Sequence, residues 1–211
     1  MTKLFGLHVV TDAQLTAGRG HQQIAQAAVE AGAPVVQLRD KLLSDAAFYD
    51  QALALREITR RAGVLFIVND RVDIALAVHA DGVHVGQTDM PASVVRRLIG
   101  PEIILGVSAG SLDEALTAAK DGADYVGFGP VFSTSTKNDA GRPTGLDVLE
   151  QVKSAVRLPI AAIGGINEQN IQTVVEAGAD AAAVVSAIVC AQDMREAIRR
   201  LMSLMAPTGI A

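Results

Sequence analysis

Eight short aliphatic runs alternate with stretches of helical periodicity along this chain, and one kind of turn recurs between them. Val29-Glu30-Ala31-Gly32-Ala33 precedes one run and Val175-Glu176-Ala177-Gly178-Ala179 another. Asp121-Gly122-Ala123-Asp124 and His79-Ala80-Asp81-Gly82 do the same work. Each reads as a helix end, a tight turn and a buried strand, because Gly reaches the left-handed conformation that closes a helix at low steric cost. Helix, small-residue turn and strand make the αβ half of a βαβ unit. The aliphatic runs fall at residues 6–11, 34–39, 65–69, 82–85, 104–108, 125–129, 159–163 and 182–186. Helical spacing of apolar residues covers 22–31, 45–62, 71–78, 92–99, 112–120, 146–155, 168–177 and 195–205.

Eight strands interleaved with eight helices predict an α/β fold, a single (β/α)8 TIM barrel with a parallel eight-stranded sheet. The 211 residues sit near the lower end of the ~200–400 that such barrels use, so insertions are few. An open doubly wound sheet is the alternative. It has fewer strands as a rule, and a G-x-G-x-x-G after its first strand, where this chain has Thr11-Asp12-Ala13. One catalytic domain is expected over residues 1–205, with 206–211 a loose tail. Half of the residues are apolar but only 3% are aromatic, and Trp is absent. Small and branched aliphatics suit strands covered on both faces. A net charge of −5 argues against a nucleic-acid partner, which needs a basic stripe. The single Cys190 excludes a disulfide within the chain and a multi-cysteine metal cluster. No apolar run approaches the ~18 residues of a membrane span. The first residues lack a signal-peptide cleavage site and read as the approach to a first strand, so a cytoplasmic protein is expected.

In such barrels chemistry sits at the carboxyl ends of the strands. Strand two ends in Gln37-Leu38-Arg39-Asp40-Lys41, and a period of two sends Gln37, Arg39 and Lys41 to one side. An amide and two cations in a row suit a di- or triphosphate; the alternative is a solvated strand end. Asp70 and Asp89 follow strands three and four. Two neighbouring carboxylates repel unless a proton or a cation intervenes, and Mg²⁺ accepts one or two carboxylates plus phosphate oxygens. The alternative is that each caps the next helix. His84 reads as a packed or hydrogen-bonded core histidine, with a metal ligand as the alternative; His8 likewise lies in a strand, and His21 and His79 read as peripheral. Ser108, after strand five, can donate to a phosphate or start a helix. The long hydroxyl-rich loop at 130–145, with Lys137 and Arg142, reads as a lid or binding loop, with disorder as the alternative. Gly164-Gly165 after strand seven and Ser186 after strand eight stand where barrels often cradle a phosphate on backbone N–H groups. Two anion sites in one mouth imply an enzyme acting on phosphorylated small molecules.

Seven segments then carry a resemblance: V-Q-L-R-D-K at 36–41, F-I-V-N-D at 66–70, D-G-V-H-V-G-Q-T-D at 81–89, G-V-S-A at 106–109, the run at 122–137, I-G-G-I at 163–166 and S-A-I at 186–188. In order and spacing the chain resembles the thiamine-phosphate synthase family from Gly6 to about Met205. The resemblance implies a Mg²⁺-dependent transferase of thiamine biosynthesis. It would join hydroxymethylpyrimidine diphosphate to hydroxyethylthiazole phosphate and release pyrophosphate by a dissociative alkyl transfer. It further implies that Gln37, Arg39, Lys41 and Asn69 bind the pyrimidine diphosphate, that Ser108 and Lys137 add diphosphate contacts, and that Asp70 and Asp89 hold Mg²⁺. Thr134, Thr136, Gly165, Val185 and Ser186 match the thiazole-phosphate side. Arg39, Lys41, Ser108 and Lys137 are the residues expected to act in catalysis.

Two other readings remain. A thiazole tautomerase of the same barrel uses a His just past strand five, where this chain has Gly110. A non-catalytic phosphate-binding barrel would not need Arg39, Lys41, Asp70 and Asp89, all of which are present. The expected partners are small molecules; the sequence does not give the oligomeric state.

Overall fold

In the computed structural model, which describes residues 4–16, 18–134, 136 and 141–206, the recurring turns do what their composition predicts. Helix α1 (His21–Ala31) ends at Gly32, whose φ of 88° lets its N–H reach back to the last turn, and β2 (Val35–Leu38) begins three residues later. Ser44 caps α2 (Asp45–Ala62) by accepting from the Ala47 N–H, and Gly63 closes it. The order then runs β3 (Leu65–Asn69), α3 (Val72–Ala77), β4 (Gly82–Val85), α4 (Ala92–Ile99), β5 (Ile104–Ala109) and α5 (Leu112–Lys120). It continues through β6 (Tyr125–Phe128), α6 (Leu146–Ala155), β7 (Ile160–Ile163), α7 (Ile171–Glu176), β8 (Ala181–Val184), a single-turn α8 (Ser186–Val189) and α9 (Met194–Met205). With β1 (Gly6–Val10) these eight strands form one closed parallel barrel in chain order, β1 pairing with both β2 and β8. The open doubly wound sheet is thereby excluded. The expected loose tail lies outside the described residues apart from Ala206. No helix among the described residues is long and apolar enough to cross a membrane.

Alternation along the strands sorts two surfaces. Leu7, Val9, Val36, Leu38, Phe66, Val68, Val83, Leu105, Val126 and Ile160 point outward into one apolar layer against the helices, and all are fully buried. The inner face differs. At its lower end Leu4, Tyr125, Ala161 and Ala181 form a separate small cluster with Leu65 and Ile104. Above it stand His8, Gln37 and His84, polar and nearly inaccessible. Small residues on β5 to β8 leave the room these rings occupy.

The amino-terminal rim is tied by one device used three times. Asp81, Asp124 and Asp180 each precede an even-numbered strand. Each donates its N–H to a carbonyl of the preceding odd strand (Phe66, Leu105, Ile160), and its carboxylate accepts the N–H of that same residue at 2.8 Å. A helix cation, Arg56, Arg96 or Lys153 respectively, binds the carboxylate from outside. The small-residue turn therefore also serves as a clamp between helix and sheet. Asp124→Ala leaves the Leu105 N–H and the Arg96 guanidinium without that partner. A charge-assisted hydrogen bond of this kind contributes about 2 kcal/mol, and urea unfolding should show that loss. An unchanged midpoint would contradict the clamp.

His8 supplies a pH dependence. Its Nε2 lies 2.8 Å from the Leu4 carbonyl oxygen, and burial pushes its pKa down from 6.5 to about 4. Between those values the unfolded chain takes up a proton that the folded chain refuses. Stability therefore falls as pH drops through this window, by up to about 1.4 kcal/mol per pH unit from this group. His8→Gln should flatten unfolding free energy between pH 6.5 and 4; an identical slope would show that His8 does not set it.

Candidate active site

The carboxyl ends of the strands open into a cavity of about 390 Å³. Gln37, Arg39 and Lys41 line it, while Leu38 between them is fully buried in the outer layer. Three polar side chains on the cavity with Leu38 turned away agree with the period-two reading of that strand end. Arg39 is steadied by Asp12, Nη1 to Oδ2 at 3.4 Å. The Lys41 ammonium binds the Asp70 carboxylate and stays half exposed.

Asp40 turns away from the cavity into a buried cluster. Its Oδ2 lies 3.0 Å from His21 Nε2, and its Oδ1 accepts from the Leu42 and Leu43 N–H groups. His21 Nδ1 in turn meets Thr11 Oγ1 at 2.8 Å. Burial opposes ionisation of Asp40, but the two N–H groups and His21 together hold its pKa below the usual carboxylate value. This corrects the expectation for His21: it is buried, not peripheral, and pins the β2–α2 loop that carries Lys41. His79 is exposed, as expected, in a left-handed turn with φ 53°.

Asp70 and Asp89 both line the cavity, and neither caps a helix side chain to backbone. Arg71 stands at the start of α3 and Pro91 at the start of α4. Asp70 adopts φ 64°, a left-handed conformation that Asp tolerates better than most residues. Its N–H is tied to the His84 carbonyl at 2.7 Å. Asp89 Oδ2 accepts the Gly86 N–H at 2.7 Å, which fixes the β4 loop. Burial raises the pKa of Asp70; Lys41 opposes the rise, and the hydrogen bond and charge of Asp89 reinforce it. A buried carboxyl group beside a second carboxylate is a donor set suited to a divalent cation. Among the described residues no group of three or more His, Cys, Asp or Glu could hold a metal ion. Asp70 and Asp89 therefore fit an ion such as Mg²⁺, which completes its shell with water and phosphate oxygens, better than one needing a full protein cage.

Beside them His84 lines the floor of the cavity, bonded on both ring nitrogens: Nδ1 to the Tyr125 hydroxyl at 2.9 Å and Nε2 to Ser108 Oγ at 2.8 Å. It is thus the hydrogen-bonded histidine expected, and it also faces the site. Asn69 and Ser108 line the same cavity. So does Glu114, unforeseen in the sequence, which accepts the Gly110 N–H at 2.7 Å.

The opposite wall comes from β6 to β8. Gly164 and Gly165 have φ of 102° and 65°, and a Cβ on either would lie 2.5 Å from Pro130 or Ser133. Only glycine lets the two loops approach so closely. The loop after β6 is anchored there: the Val131 and Phe132 N–H groups bond the Ile163 and Gly164 carbonyls. Thr134, Thr136, Gly165 and Ser186 line both the main cavity and an adjoining one of about 340 Å³, and Val185 lines the first. Ser186 opens α8, whose far end is held by Arg19 on the Val189 and Ala191 carbonyls at 2.8 and 2.7 Å. Lys137 lies outside the described residues.

The model of the family described as thiamine monophosphate synthase matches residues 7–188. The chain belongs to that family. Two curated members lie close in sequence. The thiamine-phosphate synthase of Chloroflexus aurantiacus is 56% identical over 202 residues, covering 96% of this chain and 93% of the relative. That of Moorella thermoacetica is 50% identical, covering 94% and 95%. Among solved structures, thiamine phosphate pyrophosphorylase from Pyrococcus furiosus superposes with a TM-score of 0.89 at 42% identity, covering 97% and 96%. The family match thus spans the residues of both walls of the cavity.

Proposed function

We propose that this protein is a thiamine-phosphate synthase that joins an aminopyrimidine methyl diphosphate to a thiazole ethyl phosphate. What carries the reading is one cavity with two unlike walls. Arg39, Lys41, Asp70 and Asp89 line the side built by β2 to β4, and Gly165 and Ser186 line the side built by β7 and β8. Its family and its 56% identical relative agree with that reading. An isomerase would have no diphosphate for the first wall to hold.

In the reaction the methylene C–O bond breaks and its electron pair leaves with pyrophosphate. The thiazole nitrogen lone pair forms the new C–N bond, and no proton need move. Arg39 and Lys41 face the diphosphate and stabilise charge growing on its bridging oxygen; Ser108 donates to it. Asp12 keeps the Arg39 fork aimed. Asp70 and Asp89 would hold Mg²⁺, which supplies further positive charge to the leaving group. Backbone N–H groups at Gly165 and Ser186 grip the thiazole phosphate, which orients its nitrogen. Thr134, Thr136 and Val185 bound the acceptor, while Gln37 and Asn69 bound the pyrimidine. Lys137 completes the diphosphate contacts in this proposal. A cytoplasmic location goes with it.

The test is pyrophosphate release by the purified protein. Release should require both substrates and Mg²⁺ and stop with a chelator. Release from the diphosphate alone, or none with both substrates, would reject the reading.

A further inference from the structure

We propose that Tyr125, at the bottom of the barrel, is a positioning residue that sets the tautomer of His84 and through it the direction in which Ser108 donates. The inference rests on the synthase reading for its effect on turnover, but its structural half stands apart from that reading. Tyr125 is 2% exposed and lies in the apolar plug below the cavity, so its hydroxyl cannot turn to solvent. Gln37 hydrogen-bonds the phenol oxygen. Burial pushes the phenol pKa well up, so the hydroxyl keeps its proton throughout the ordinary pH range. With its oxygen accepting from the Gln37 amide, the phenol has one proton to give, and His84 Nδ1 lies 2.9 Å away.

The consequence follows from counting donors. An Nδ1 that accepts from Tyr125 is bare, so in the neutral ring the proton sits on Nε2. Nε2, 2.8 Å from Ser108 Oγ, then donates to it. The serine oxygen is satisfied from below, and its own proton points elsewhere, towards the cavity that Ser108 lines. The opposite tautomer would draw the serine proton down onto Nε2 and present lone pairs to a substrate phosphate.

The barrel makes space for this chain at two strand positions. A Cβ at Gly106 would stand 2.2 Å from the Tyr125 ring and 2.4 Å from His84 Nδ1. One at Gly127 would stand 2.7 Å from the His84 ring. Both inward positions beside the contact are thus glycine, on β5 and β6. His8, whose ring meets Tyr125 edge-on at 5.7 Å, is engaged by the Leu4 carbonyl and stays neutral. The charged groups that line the cavity above, among the described residues, are Arg39, Lys41, Asp70, Asp89 and Glu114. The tyrosine hydroxyl, bonded to His84 Nδ1, is thus placed to choose between the two forms of the ring.

The experiment is Tyr125→Phe, which keeps the ring and removes the proton. Histidine ¹⁵N spectra of the intact protein should show His84 as the Nε2–H tautomer in the parent and as a mixture in Y125F. Turnover with both substrates should fall about tenfold, the scale of one misdirected hydrogen bond to a charged group. In a Ser108→Ala background the same substitution should add nothing, because it acts through Ser108. An unaltered tautomer, an unaltered kcat, or losses that multiply in the double variant would each overturn the proposal. If the parent releases no pyrophosphate, the synthase reading fails while the spectra still decide whether Tyr125 sets the tautomer.

Discussion

Asp70→Asn lowers kcat by about a thousandfold and leaves the free protein at least as stable as its parent. The two halves come from one local arrangement. Asn keeps the left-handed backbone at φ 64° with little strain, and the Asp70 N–H still bonds the His84 carbonyl. The carboxylate is lost. Burial and Asp89 raise the Asp70 pKa in the fold, so the stability this group lends is present at low pH and is lost as pH rises through its folded value. At neutral pH its ionised form is a cost that Asn removes. Lys41 loses its partner, but at 51% exposure that pair contributes little. Catalysis should suffer because, in the proposed reaction, a divalent ion would lose one of its two carboxylate donors, and such an ion would supply several kcal/mol to a departing phosphate. The measurement pairs steady-state kinetics with thermal melts. Parent protein should gain thermal stability from Mg²⁺ with pyrophosphate, more at pH 8 than at pH 5 because protons compete for the carboxylates. The variant should gain almost nothing. Full activity in Asp70→Asn would remove Asp70 from the site.

Gly129→Ala should cost about 3 kcal/mol or more of folding stability. A Cβ there would lie 2.1 Å from the Ile163 carbonyl oxygen and 3.0 Å from its carbon. The obstacle is backbone, not the flexible end of a side chain, so neither strand can yield alone. That carbonyl already accepts the Val131 N–H at 2.9 Å, and the Gly129 N–H is committed to the Ala109 carbonyl at 3.0 Å. Relief would have to part β6 from β7 or β5. Overpacking of a close-packed interior costs ~1–3 kcal/mol where side chains can shift, and here they cannot. Gly110→Ala is the control. Its Cβ would meet the Gly129 carbonyl oxygen at 3.5 Å, an ordinary contact, so stability should hardly change. Equal stability for the two variants in urea unfolding would contradict the account of the β6–β7 approach.

The reach of the sequence can be judged on these same residues. The eight strands are legible because four of them follow a recurring small-residue turn and all are short aliphatic runs alternating with stretches of helical periodicity. Gln37, Arg39 and Lys41 are legible because polar residues at period two break an aliphatic run. The inner polar layer is less so. A continuous aliphatic run hides which residues face the barrel axis, so His8 and His84 read as isolated strand residues, and the Tyr125 hydroxyl bonded to His84 goes unnoticed. His21 reads as peripheral because its partners, Thr11 and Asp40, lie on two other loops. The rim clamps escape for the same reason: Asp81, Asp124 and Asp180 look like turn punctuation until the helix cation arrives from a distant segment. Glu114 enters the site through a bond to the Gly110 backbone, which no side-chain pattern announces.

The central claim is a cation between two carboxylates on one wall and a phosphate cradle on the other. Crystals grown with Mn²⁺, pyrophosphate and thiamine phosphate test it through the anomalous signal of the metal. The account predicts one strong peak between Asp70 and Asp89, touching a pyrophosphate oxygen, with the product phosphate against Gly165 and Ser186. A peak away from both aspartates, or a product phosphate on the Arg39 and Lys41 wall, would contradict it.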